Sequence, residues 1–249
     1  MLCAEKPYKD IKVVDGGTIH GTVHLVGDAS KAVEMPITKD EKVCGKKKPS
    51  PRLTVGKNGG VQNAVISLMG IDEGKKAEAP KVYPLNQTKC EYAPHVLILP
   101  QGSSMEIVNN DPIMHNVHAY DLLTASKTVF NIAQPIKGQR MPINPKMVKA
   151  PGLMLETCDA GHPWMSAYVI IAEHPYYALT DANGKFVLSD VPAGTYTLRM
   201  WHEGVAIVTT EMEHGVPKKY SFEDPYEVKK DVTVSPRETV EMDIDLVLR

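Results

Sequence analysis

No stretch of this chain repeats its apolar residues at helical spacing, and turn residues break the apolar runs roughly every ten positions. The runs are short and rich in Val, Ile and Thr, with 19 Pro and 18 Gly standing among them. Such runs read as strands, whose successive side chains point to opposite faces. The chain is therefore expected to be all-β. Its 249 residues suffice for one or two domains with real cores. Charge is nearly balanced, with 28 Lys and Arg against 30 Asp and Glu, a net of −2. That balance makes no electrostatic case for nucleic acid or an anionic membrane surface. No run approaches the roughly 18 apolar residues of a membrane helix. The opening, Met1-Leu2-Cys3-Ala4-Glu5, turns polar too soon for a signal peptide and reads as a mature or trimmed start.

Residues 18–26 alternate as a strand should, placing His20, Thr22 and His24 on one face. That face reads as solvated, although two histidines there have metal-ligand spacing. Residues 28–52 are polar, and Lys46-Lys47-Lys48 reads as a solvated loop. Another strand is expected over 61–69, then a charged, Ala- and Pro-rich linker over 73–80. Strands are expected at 96–99, 105–108, 129–133, 152–157 and 165–172, with a Pro- and Lys-rich loop at 134–149. Residues 176–188 carry Asn183-Gly184 between two apolar runs, a hairpin signal.

Chemistry concentrates in Cys158-Asp159-Ala160-Gly161-His162-Pro163-Trp164-Met165. A thiol, an imidazole and a thioether on one short loop make a set of soft and borderline donors suited to copper. A trigonal copper site needs a second imidazole. Upstream, the expected strand 105–108 enters the turn Asn109-Asn110-Asp111-Pro112 and then presents His115-Asn116-Val117. An Asn-rich turn leading to His-Asn-Val, with a distant Cys…His…Met loop, resembles the cupredoxins, the blue copper family. The resemblance covers roughly residues 81–173. It implies a Greek-key β-barrel or sandwich and the ligands His115, Cys158, His162 and Met165, with His118 the alternative to His115. It also implies that Asn116 ties the two ligand loops together, and that Met114, Pro163 and Trp164 form an apolar rim for electron exit. Simple core packing is the other reading of Trp164. The two-residue gap between His162 and Met165 instead resembles half of a binuclear copper loop. The second thiolate of that pattern would fall at Met154, so one copper ion is expected.

With Cys158 on the metal, Cys44 and Cys90 are the natural disulfide pair and Cys3 is left over. A disulfide implies an oxidising compartment, so an exported, periplasmic or extracellular protein is expected. Cys3 is also a candidate lipid anchor, and free buried thiols are the alternative for Cys44 and Cys90. Of the remaining histidines, His95 reads as structural. His174 and His202 flank the junction near residue 175 and form a candidate second metal pair.

The segment Thr180-Asp181…Gly184-Lys185-Phe186 resembles the carboxypeptidase regulatory-like family of transthyretin-like sandwiches. The other pieces of that pattern are Gly21-Thr22-Val23, Ala64-Val65-Ile66-Ser67-Leu68 and the final strand over 239–246. Their order implies a discontinuous host sandwich, 16–80 and 175–249, with a copper domain inserted at 81–174. Two sequential domains are the alternative arrangement. No hydrolase elbow, phosphate loop or zinc-protease motif is present, so no enzyme is expected. The cupredoxin resemblance implies a one-electron carrier between redox proteins such as a cytochrome or a copper oxidase. A copper-handling or sensing module, a binding sandwich with a degenerate copper site, and a copper oxidoreductase with an open position are the alternatives.

Overall fold

In the computed structural model, which describes residues 7–29 and 34–249, both ends of the chain build one sandwich. Cys3 lies outside the described residues. The strand Gly17–Val26 buries Gly17, Ile19, Gly21 and Val23 and turns Thr18, His20, Thr22 and His24 outward. On one side it pairs with Lys185–Val191, and on the other with Thr239–Glu241 and Ile244–Val247 in parallel. Gly21 is required where these last two strands meet, since a Cβ there would lie 2.2 Å from the carbonyl oxygen of Met242. The second sheet orders Tyr177–Leu179, Val65–Met69, Gly194–His202 and Tyr226–Val234. Ile19, Val23, Ile66, Leu68, Phe186, Leu198 and Leu246 close this terminal core.

The Asn183-Gly184 turn forms, with the amide of Gly184 bonded to Asp181 at 2.9 Å. The expected hairpin does not follow from it. Tyr177–Leu179 pairs with Val65–Met69 in one sheet, whereas Lys185–Val191 pairs with Gly17–Val26 in the other. Phe186, Leu188 and Val191 point into the shared core from the second sheet, so the turn carries the chain across the sandwich.

The middle of the chain builds a central sandwich. Its five-stranded sheet runs Lys127–Gln134, His115–Asp121, Gly152–Thr157, Ser166–Ala172, Val96–Pro100. The facing sheet runs Arg140–Pro142, Ser104–Asn109, Val82–Gln87, Tyr92–Ala93, so an edge strand interrupts the loop expected over 134–149. Leu85, Leu99, Met105, Ile107, Val117 and Val169 fill the space between them.

Within the polar segment 28–52, residues 34–49 are a strap on the central sandwich, so the lysine run is not simply a solvated loop of the host. Glu34–Pro36 and Lys47–Pro49 pair antiparallel around a short helix, Glu41–Cys44. Met35, Ile37 and Cys44 are buried in the central core, which outweighs the polarity of their neighbours. Lys48 is pinned to Glu91 at 2.8 Å rather than free in solvent.

The sandwiches meet where Val65 and Trp201 pack on Val96, Tyr168 and Ile170. Beside them the buried Arg52 guanidinium lies 2.8 Å from Glu203 and 3.4 Å from the centre of the Phe222 ring. His95 contacts the other oxygen of Glu203 and bonds to the carbonyl of Ser166, a structural role across the junction. No helix among the described residues is long and apolar enough to cross a membrane.

His174 is buried among Tyr8, Tyr176 and Tyr177, and burial lowers its pKa to about 4. The native imidazole thus stays neutral at pH values where the unfolded chain takes up a proton, so stability falls as pH drops from about 6.5 towards 4. The loss should approach about 3 kcal/mol. Urea titrations of His174→Gln between pH 7 and 4 should show a correspondingly flatter profile; an unchanged slope would assign the effect to other groups.

Candidate metal centre

The strand His115–Asp121 alternates, so His115, Val117 and Ala119 face the central core and His118 faces out. The odd separation of the two histidines decides which one enters the interior. On Gly152–Thr157 the inward residues are Met154 and Glu156, and the next inward position beyond the strand is Cys158. The loop then turns at Gly161, whose φ of 91° favours glycine, and buries His162, Trp164 and Met165.

Three donors converge. Cys158 Sγ lies 3.8 Å from His115 Nδ1 and 3.5 Å from His162 Nδ1, and the two Nδ1 atoms are 3.2 Å apart. Both histidines are fully buried and Cys158 is 2% exposed. Met165 is buried in the same core, its amide bonded to the His162 carbonyl at 3.0 Å. His118 lies outside the group, bonded to Asp159 at 2.6 Å and Thr128 at 2.8 Å. A second cluster of Cys90, Asp111 and His115 offers no thiolate, because Cys90 is joined to Cys44 in a disulfide. No such group among the described residues includes His174, His202, His20 or His24.

Each converging imidazole is fixed from behind by a carboxylate. His115 Nε2 lies 2.9 Å from Asp111 Oδ2, and His162 Nε2 lies 2.9 Å from Asp40 Oδ2. An ionised carboxylate only accepts, so Nε2 carries the proton and Nδ1 offers its lone pair to the centre. Burial works to raise the Asp111 pKa. Hydrogen bonds from His115 and from the amides of Cys90 and Lys89 outweigh it and hold the group below its usual range. Burial lowers His162, favouring the neutral ring a metal needs, and pushes the Cys158 thiol up to about 11. A metal would therefore displace a proton from that sulfur.

Asn116 ties the two loops together. Its Oδ1 accepts from the amide of Ala160 at 2.8 Å, while its Nδ2 donates to Asn131 at 2.9 Å. Trp164 is core rather than rim: it is 4% exposed, donates to the carbonyl of Cys90 at 3.2 Å, and meets His162 edge-on. Met114, by contrast, is 49% exposed beside His115. Glu156 lies between Ala119 and Ala167 on the neighbouring strands, with both carboxylate oxygens unpartnered among the described residues. Burial pushes its pKa up to about 8.

Residues 157–247 match the model of the carboxypeptidase regulatory-like domain, a span that begins one residue before Cys158 and runs through the terminal sandwich. No curated protein matches the chain. Among solved structures, the chain is similar to the Cu-containing nitrite reductase (NirK) from Thermus scotoductus SA-01. That likeness has 23% identity and a TM-score of 0.31, over 41% of this chain and 24% of that one. It is also similar to a "Novel Purple Cupredoxin from Nitrosopumilus maritimus", at 22% identity and a TM-score of 0.29. Here 38% of this chain aligns with 100% of that one. The chain thus spans only about a quarter of the nitrite reductase. Likenesses this weak say nothing about the chemistry of the site, which rests on the residues above.

Replacing Asn116 with Ala leaves the Ala160 amide without its acceptor and loosens the loop carrying Cys158. The affinity for any metal these donors hold, measured by chelator competition, should fall about 10- to 100-fold, as for other residues that orient ligands. An unchanged affinity would show that the loop holds itself.

Proposed function

We propose that this chain is a mononuclear copper protein that passes one electron at a time between redox partners. The observation that carries the reading is the convergence of His115 Nδ1, His162 Nδ1 and Cys158 Sγ in a buried pocket. Two imidazoles and one thiolate form the trigonal set that suits copper in both oxidation states, with Met165 in the role of weak axial ligand. Bound copper would supply the one-electron couple. The protein's share is to hold the imidazoles in one tautomer through Asp111 and Asp40 and to bury the sulfur. Burial of all three donors favours a carrier over an enzyme, because no substrate reaches them without displacing protein.

In the same reading, the copper unit is an insertion at 81–174 within a host of 16–80 and 175–249. Pairing of Gly17–Val26 and Val65–Met69 with strands beyond residue 175 supports it. The strap at 34–49 then belongs to the host in sequence and to the copper unit in space. The disulfide supports an exported protein, and a cytochrome or copper oxidase fits the role of partner.

An optical spectrum with a metal count tests the assignment. Reconstituted protein should hold one copper per chain and show an intense thiolate-to-copper band that bleaches on reduction. Cys158→Ser should lose the band and keep the fold. Met165→Leu should keep copper and raise the potential. Stoichiometric copper without the band in the wild type would overturn the electron-carrier reading, and loss of copper in Met165→Leu would overturn the axial role.

A further inference from the structure

Two carboxylates orient the imidazoles, and both are anchored to the same covalent link. Asp111 receives the amides of Lys89 at 2.7 Å and Cys90 at 2.8 Å. Cys90 is bonded to Cys44, 46 positions earlier. The amide of Cys44 donates to the carbonyl of Asp40 at 2.9 Å, and the Asp40 side chain reaches His162. The path from His115 to His162 thus runs through Asp111, the disulfide and Asp40. Trp164 closes it a second time, binding the Cys90 carbonyl while its ring packs against His162.

Local backbone geometry fits this path. Asp40 precedes the helix Glu41–Cys44, where an aspartate usually caps the first free amides. It makes no such cap; its carboxylate goes to His162 instead. Asp40, Lys89 and Cys90 all have φ between 53° and 59°, a left-handed region that side chains other than glycine seldom adopt. Unusual backbone thus gathers at the points where the strap and the turn after Val82–Gln87 hold the imidazoles. Lys39 adds a contact of its own, donating to the Ala160 carbonyl at 2.6 Å.

We propose that the Cys44–Cys90 disulfide is a positioning brace of the metal centre, acting on His115 through Asp111 and on His162 through Asp40. The inference rests on the copper reading above, because the geometry it maintains matters only to a metal held by those rings. Without the bridge, the strap keeps its apolar contacts through Met35 and Ile37, but nothing covalent ties it to the turn whose amides hold Asp111. Both rings then gain freedom at once, and the site loses its preset spacing.

Chelator competition and electron paramagnetic resonance on the copper-loaded full chain test the brace. Cys44→Ala/Cys90→Ala should lower copper affinity about 10- to 100-fold and change the copper hyperfine splitting. Asp40→Ala, with the bridge intact, should do so more weakly. Asp40→Asn, whose amide oxygen still accepts from Nε2, should restore wild-type behaviour. The metal-free protein gives a second readout, the exchange rate of the imidazole Nε2 protons measured by magnetic resonance. Both rings should exchange faster in the double variant, or after a dithiol reduces the wild-type bridge, whereas Asp40→Ala should affect His162 alone. A bridge-free protein with wild-type affinity, splitting and proton exchange overturns the brace. A wild type that binds no copper overturns the copper reading, and the proton-exchange comparison still decides whether the bridge fixes the rings.

Discussion

Two imidazoles facing each other at 3.2 Å in a buried core are the arrangement on which the centre depends. Buried polar groups are costly unless each finds a partner, and here the remote nitrogen of each ring is satisfied by a carboxylate. Asp111 is itself held by two backbone amides, while Asp40, partly open to solvent, is positioned by a strap packed through Met35, Ile37 and Cys44. Each level of the site is held by the one outside it. The orientation of the donors is therefore a property of the whole central sandwich and not of the ligand loop alone.

The junction obeys the same rule with charge added. Arg52 and Glu203 are both nearly inaccessible, and such a pair persists only when its remaining hydrogen-bonding capacity is used. Tyr168, the Gly204 carbonyl and His95 use most of it, and Phe222 covers the face of the guanidinium. Tyr168 and His95 belong to the central sandwich, while Gly204 and Glu203 follow a strand of the terminal one. A buried pair with partners on both sides resists sliding in a way that the apolar contact of Trp201 on Tyr168 does not.

Much of this was legible in the sequence, for local reasons. Cys158 and His162 share a loop of a few residues, and the Asn-rich turn before His115 marks where a strand begins. Spacing alone could not choose between His115 and His118; strand alternation does, once the inward face is known. Asp111 stands four residues before His115 and belongs to the same turn, so its nearness carried a weak signal. Asp40 carried none, because 122 residues separate it from His162 and its neighbours read as a polar loop. The Asn183-Gly184 turn shows the converse failure. Its local chemistry fixes a bend, but long-range partners decide whether the two flanking strands pair.

Because Gly17–Val26 pairs with Ile244–Val247, an early strand of the terminal sandwich waits for a partner made only after the whole central sandwich. Closing so long a loop directly is entropically unfavourable and slow. The central sandwich removes most of that cost if it forms first, since it brings Val65–Met69 beside Tyr177–Leu179 and leaves only short segments to search. Folding during translation would then proceed from the middle outwards. Until Ile244–Val247 has been made, the nascent chain would expose an unpaired, half-apolar strand edge, and its protection over that interval is a demand that this topology places on the cell.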